Sequence, residues 1–130
     1  MRRPLWSWPR DERALMAIIN VTPDSFYDGG VRSSTARAID DGVAMWAAGA
    51  RYLDVGGESS RPGAEPVSEA EELRRVLPVI EGLVKRAPEA VISIDTVKPN
   101  VARRAVEAGA RVINDIRGGR DPAMREVMAS

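Results

Sequence analysis

The 130-residue sequence contains no cysteine and no histidine. The first absence excludes disulfides and thiolate metal centres. The second removes the side chain most used as a general base near neutral pH, which is also the commonest zinc ligand. An excess of charge of one sign is lacking too: 19 lysines and arginines balance 19 aspartates and glutamates. The long-range field therefore gives neither nucleic acid nor an anionic membrane surface a reason to bind. No apolar run approaches the roughly 18 residues of a membrane-spanning helix, and the opening "MRRPLWSWPRDER" carries charge without the apolar stretch of a secretion signal. A cytoplasmic location is expected. Chemistry in such a chain rests on carboxylates, amides, hydroxyls, lysine, arginine or a weakly held hard cation.

What is present suits one packed domain, since 44% of the residues are hydrophobic. Short apolar runs at Leu15–Ile19, Tyr52–Val55, Val91–Ile94 and Val112–Ile113 each close in a polar or glycine-rich stretch and read as buried strands. Helical spacing separates them. Ile39, Val43, Trp46 and Ala50 recur after the possible caps Ser33 and Ser34, with Gly49 loosening the end. Ser68-Glu69-Ala70-Glu71 has the order of a capping box, followed by a stripe of Leu73, Val76, Leu77, Ile80, Leu83 and Val84. Pro78 interrupts that stripe and predicts a kink or a displaced boundary. Pro99 opens a third helix and Gly109 closes it, while Asp121-Pro122 opens a fourth with Met124, Val127 and Met128. Strand followed by helix, repeated, predicts an α/β fold of parallel strands joined by right-handed crossovers. The long loops follow the strands, which favours a site at the C-terminal strand ends, in barrels and open sheets alike.

Polar residues collect at those ends: Asn20, Asp54, Asp95 and the pair Asn114-Asp115. One such residue alone is as readily a turn former or a helix cap. Several in register suit a polar heterocycle, because a carboxylate accepts two N–H bonds from an amidine-like edge and an asparagine amide both donates and accepts. The loop "GGESSRPGAEP", residues 56–66, offers close backbone approach, the hydroxyls of Ser59 and Ser60, and the planar fork of Arg61. The alternative is an exposed turn with Arg61 paired to Glu58 or Glu65. Neither a Walker loop nor a dinucleotide fingerprint occurs. The stretch "NVTPDSFYDGG", residues 20–30, is either a solvated connection or part of the same rim.

Three blocks, "MAIINVTPDSFYDGG" at 16–30, "LDVGGESSRPGA" at 53–64 and "ISIDTVKPNVARRAVEAGARVINDIRGG" at 92–119, resemble successive blocks of the dihydropteroate synthases, in that family's order and spacing. The resemblance implies a (β/α)8 TIM barrel of which this chain covers about the first four βα units, with residues 1–130 as the N-terminal half of the pterin-binding domain. It implies condensation of a pterin methyl pyrophosphate with para-aminobenzoate, with Mg2+ as cofactor, small-molecule substrates as the only ligands, and a homodimer. By motif, Asn20 is the implied magnesium ligand, and an amide suits an ion that keeps most of its waters. Asp95 and Asn114 are implied to hold the pterin ring, and Ser60, Arg61 and Pro62 to bind substrate from the second loop. Asp95 and Arg61 are the implied catalytic residues. Ser60 replaces the family's usual threonine, and Tyr27 stands where serine is common, while Asp24, Ser25, Phe26 and Asp28 match. The first loop then becomes a lid over the pterin, with Asp24 and Phe26 as substrate contacts and Gly29 and Gly30 as hinges; alternatively Phe26 anchors the loop against the barrel.

A barrel of this type needs about 250 residues. The family's C-terminal aspartate, its lysine segment and its arginine-histidine anion site have no counterpart in these 130 residues. A chain weak or inactive alone is therefore expected. One alternative is a non-catalytic half-barrel that pairs with a second copy or with a C-terminal piece, burying Leu53 and Ile92; another is a methyltetrahydrofolate-type pterin methyltransferase, against which the "TPDSF" lid argues. Trp6 and Trp8 either plug the barrel floor or belong to an unstructured tail.

Overall fold

A computed structural model describes residues 13–21 and 31–130. Strands and helices alternate as β1 (Leu15–Asn20), α1 (Val31–Ala47), β2 (Ala50–Gly56), α2 (Glu69–Arg86), β3 (Val91–Asp95), α3 (Pro99–Glu107), β4 (Val112–Asn114) and α4 (Pro122–Ala129). All neighbours pair in parallel, in the order β1-β2-β3-β4. Parallel neighbours must be joined by a crossover, and the intervening helices supply it. The result is four consecutive βα units sharing one parallel sheet.

Side chains alternate across the sheet, and the two faces differ. Ile19, Leu53, Val55, Ile92 and Ile94 point one way and join Val76, Ile80 and Leu83 of α2 and Val101 and Ala105 of α3 in one core. The opposite face carries Ile18, Asn20, Asp54, Ser93, Asp95 and Asn114. Leu53 and Ile92 are already 0% and 1% exposed. They are therefore not surface for a second half-barrel, as the self-pairing alternative requires. The exposed apolar residues of the sheet are Leu15, Met16 and Ile18, all on β1.

The helix boundaries follow local chemistry with two corrections. Helix α1 begins at Val31, ahead of Ser33, and stops before Gly49, whose φ of 113° and N–H bond to the Trp46 carbonyl end it; Ala50 opens β2 instead of extending the helix. Helix α2 runs through Pro78 without a displaced boundary. Pro78 and Arg74 are both exposed, so the Arg74 carbonyl that loses its donor faces solvent, where water replaces it. Its buried stripe is Glu72, Arg75, Val76, Val79, Ile80 and Leu83, with Val84 exposed. Of the capping box, the Ser68 half forms, with its hydroxyl accepting from Glu71 N–H at 3.2 Å; the Glu71 carboxylate turns to Arg74 and Arg75. Pro99 and Gly109 bracket α3, and the Asp121 carboxylate caps α4 at Ala123 N–H, both as expected.

Candidate functional site

Asn20, Gly56, Asp95 and Asn114 form one register row across the four C-terminal strand ends. Strands about 4.8 Å apart put Asp95 beside Asn114 and leave Asn20 roughly 10 Å from Asp95, two strands away. Gly56 lies between them. A Cβ there would sit 3.4 Å from Asp95 Oδ2, so the missing side chain keeps the space beside that carboxylate open.

Behind this row lies a second polar layer. Asp54, two residues before Gly56 on the same face, is 4% exposed, and its Oδ2 accepts a 3.0 Å hydrogen bond from Asn114 Nδ2. Its other oxygen, Oδ1, and the hydroxyl of its register partner Ser93 are buried without a hydrogen-bond partner. Buried polar groups are almost always satisfied, and orphans of this kind are groups that a ligand or water would complete. Burial first, and then the charges of Asp54, Glu72 and Asp115, push the Asp95 carboxyl up to about 6. Asp95 is therefore poised to hold or release a proton near neutral pH. Asp115 itself is a turn former: its two oxygens accept from Arg117 N–H and Gly119 N–H at 2.8 and 2.9 Å.

The second loop is tied down at both ends. Glu58 Oε2 accepts from Val67 N–H at 2.7 Å, closing residues 58–67, and also from Lys98 Nζ at 3.0 Å. Burial alone would raise the Glu58 carboxyl, but the Val67 and Lys98 hydrogen bonds outweigh it and hold it below the usual range. Arg75 donates to the Gly57 carbonyl at 2.9 Å. Gly57 is required, since a Cβ would meet Val76 at 2.9 Å and Glu72 at 3.3 Å. Glu58 is thus taken by Lys98, and Arg61 forms no ion pair among the described residues. Neither expected partner holds it.

Ser60, Arg61 and Pro62 are exposed. A cavity of about 120 Å³ joins Ser60 to Asp95, Ile116 and Arg117. Arg61 and Pro62 instead line a cleft of about 540 Å³ between the loop and the start of α2, with Val67, Glu71 and Arg75. The described structure therefore brings Ser60, Asp95 and Asn114 near one another and turns Arg61 elsewhere. Asp24 and Phe26, with Ser25, Tyr27, Asp28, Gly29 and Gly30, lie outside the described residues, as do Trp6 and Trp8. Asn20 is exposed, and no group of three or more acidic residues that could hold a metal occurs among the described residues.

Sequence reasoning missed Glu72, Thr96 and Lys98. Glu72 is 1% exposed and accepts from Thr96 Oγ1 and Lys98 Nζ, each at 2.7 Å. The available signal was a glutamate standing at a stripe position of α2, four residues before Val76 and facing the core.

Residues 16–130 match the family described as pterin binding enzyme. The chain is 50% identical over 115 residues to the dihydropteroate synthase of Escherichia coli, covering 88% of this chain and 40% of that protein. It is 48% identical over 124 residues to a probable bifunctional folylpolyglutamate synthase/dihydropteroate synthase of Halobacterium salinarum, covering 95% of this chain and 15% of the relative. A solved dihydropteroate synthase of Xanthomonas albilineans with 4-aminobenzoic acid superposes with a TM-score of 0.85 at 49% identity, covering 92% of this chain and 44% of that one. The chain thus spans less than half the length of these relatives. With a parallel half-barrel, a polar row at its C-terminal rim and a family match over nearly all of its length, the chain belongs to the pterin-binding enzymes.

Proposed function

We propose that residues 1–130 are the N-terminal half of the pterin-binding barrel of a dihydropteroate synthase, which condenses 6-hydroxymethyl-7,8-dihydropterin pyrophosphate with para-aminobenzoate to give dihydropteroate and pyrophosphate. The observation that carries this reading is the adjacent pair Asp95 and Asn114, backed by Asp54 and left open by Gly56. Solved relatives from Xanthomonas albilineans hold 4-aminobenzoic acid and 7,8-dihydropteroate, which are the second substrate and the product of that reaction.

In this reading Asp95 accepts N–H bonds from the pterin and stabilises positive charge that develops on the ring as pyrophosphate leaves. Asn114, held by Asp54, presents its remaining amide groups to the same ring. Ser60 of the second loop, and Asp24 and Phe26 of the first, contact substrate; Arg61 and Pro62, which line the neighbouring cleft, reach it once the loop turns inward, where Arg61 would neutralise charge on the departing group. The arylamine is neutral at pH 7 and attacks without a histidine base. Asn20 offers one amide oxygen, with no side-chain hydrogen bond among the described residues. That suits Mg2+, which takes few protein ligands and keeps its waters. Such an ion supplies charge neutralisation of the pyrophosphate. Asn20 lies two strands from Asp95, a separation that suits the phosphate end of the substrate better than the heterocycle. We place the complete enzyme in the cytoplasm as a homodimer, an assembly that sedimentation checks.

Calorimetry with the pterin pyrophosphate and Mg2+ tests the site. Binding that Asp95→Ala weakens at least tenfold is expected. Equal affinity in the variant overturns the reading.

A further inference from the structure

Lys98 touches no residue of the Asp95–Asn114 pair, yet three separate segments converge on it. Its ammonium donates to Glu58 Oε2 at the start of the second loop and to Glu72 Oε2 inside α2. Its own backbone N–H bonds Thr96 Oγ1 at 3.1 Å, and that hydroxyl donates to the other oxygen of Glu72. Thr96 directly follows Asp95, and its N–H bonds the Asn114 carbonyl at 3.2 Å. Glu58 in turn closes the loop by accepting from Val67 N–H. One ammonium thus fastens the loop bearing Ser60 and Arg61 to the strand end bearing Asp95, through a carboxylate that is 1% exposed.

We propose that Lys98 is a positioning residue that sets the second loop against the Asp95 strand end by bridging Glu58 and Glu72. The proposal rests on the pterin-site reading for its functional meaning but on contacts within this chain for its substance. A buried carboxylate is tolerated when it is paired and hydrogen-bonded, and Glu72 meets both conditions through Lys98 and Thr96. The bridge is also linked to Asp95, because Glu72, which Lys98 pairs, is one of the charges that raise its carboxyl. Two consequences separate a bridge from general structural support. Removing the ammonium frees the Glu58 end of the loop, and it leaves the Glu72 charge uncompensated near Asp95.

The test uses the full chain and needs no ligand. Lys98→Met is expected to raise hydrogen exchange at the Val67 amide at least tenfold and to move the Asp95 titration, followed by carboxyl NMR, upward. Lys98→Arg should restore both. Because Lys98→Met leaves a buried unpaired carboxylate and the protein could fail to fold, the double variant Lys98→Met with Glu72→Gln provides the second measurement. In it the Asp95 midpoint should return to or below its original position while Val67 exchange stays fast. An unchanged Val67 exchange rate in the double variant overturns the proposal, as does an Asp95 midpoint that Lys98→Met leaves unmoved. If these shifts occur while Asp95→Ala leaves pterin pyrophosphate affinity unchanged, the functional reading fails and the bridge stands.

Discussion

The two faces of the sheet are built from alternate residues of the same strands and have opposite chemistry. On β2 and β3, Leu53, Val55, Ile92 and Ile94 pack against the helices, while Asp54, Ser93 and Asp95 face the other way. The helix side gains stability from close packing, with all four of these residues at or below 1% exposure. The other side carries hydrogen-bonding capacity that the fold does not use, including two buried atoms with no partner. Close packing and unused hydrogen-bonding capacity are thus separated by one residue of strand register, and a one-residue slip would exchange them.

Substitutions on the two faces should therefore diverge. Ile94→Ala, on the helix side, is expected to lower unfolding free energy by about 2–5 kcal/mol through lost burial and a residual cavity, read by denaturant titration. Gly57→Ala, where the sheet meets α2, should destabilise by about 1–3 kcal/mol, because the new methyl overlaps Val76 and cannot be relieved without moving the helix. On the polar side, Ser93→Ala is expected to raise stability by about 1 kcal/mol, since the lost hydroxyl is buried and unbonded. A loss of stability there would show that the two faces are not divided as described.

Dependence on pH sharpens the same contrast. Asp95 titrates near 6 in the folded chain against an ordinary 3.8, so between about pH 4 and 6 the folded state holds its proton more tightly than the unfolded one. Its contribution to stability falls as pH rises through that window and is constant above it. Thermal midpoints at pH 4 and 6 should show this decline, and Asp95→Asn should remove it. Glu71 acts in the opposite sense: hydrogen bonds from Arg74 and Arg75 lower it to about 2, so its contribution is present above about 4.5 and is lost as the solution is acidified. The smallest expected effect is a downward move of the Asp95 midpoint in Asp54→Asn, with burial still holding it above 3.8.

Much of this architecture is legible in the chain. The apolar runs locate all four strands, because each is short, mostly apolar and closed by a polar or glycine-rich stretch, and the strand ends identify Asn20, Asp95 and Asn114 as a row. Motif resemblance singles out the second loop, but the direction of Arg61 depends on tertiary contacts that spacing does not encode. Glu72 escaped notice for a different reason. A charged residue on a helix reads as solvent-facing unless its partner is known, and that partner, Lys98, lies 26 residues away. The exposed position of Pro78 likewise follows from how α2 rotates against the sheet: hydrophobic spacing puts Val84 in the buried stripe and omits Val79, whereas the helix buries Val79 and exposes Val84.

The bond from Asn114 Nδ2 to Asp54 Oδ2 gives the amide a handedness. An ionised Asp54 only accepts, so the nitrogen must stay on its side and the carbonyl Oδ1 must occupy the other. In the proposed site, a flat guest that offers a hydrogen atom to that oxygen would be favoured, whereas the same ring with its proton shifted to another nitrogen would meet lone pair against lone pair. If Asn114 holds the heterocycle as proposed, this fixed amide would sort tautomers of a single compound, a selectivity that size and shape alone could not provide.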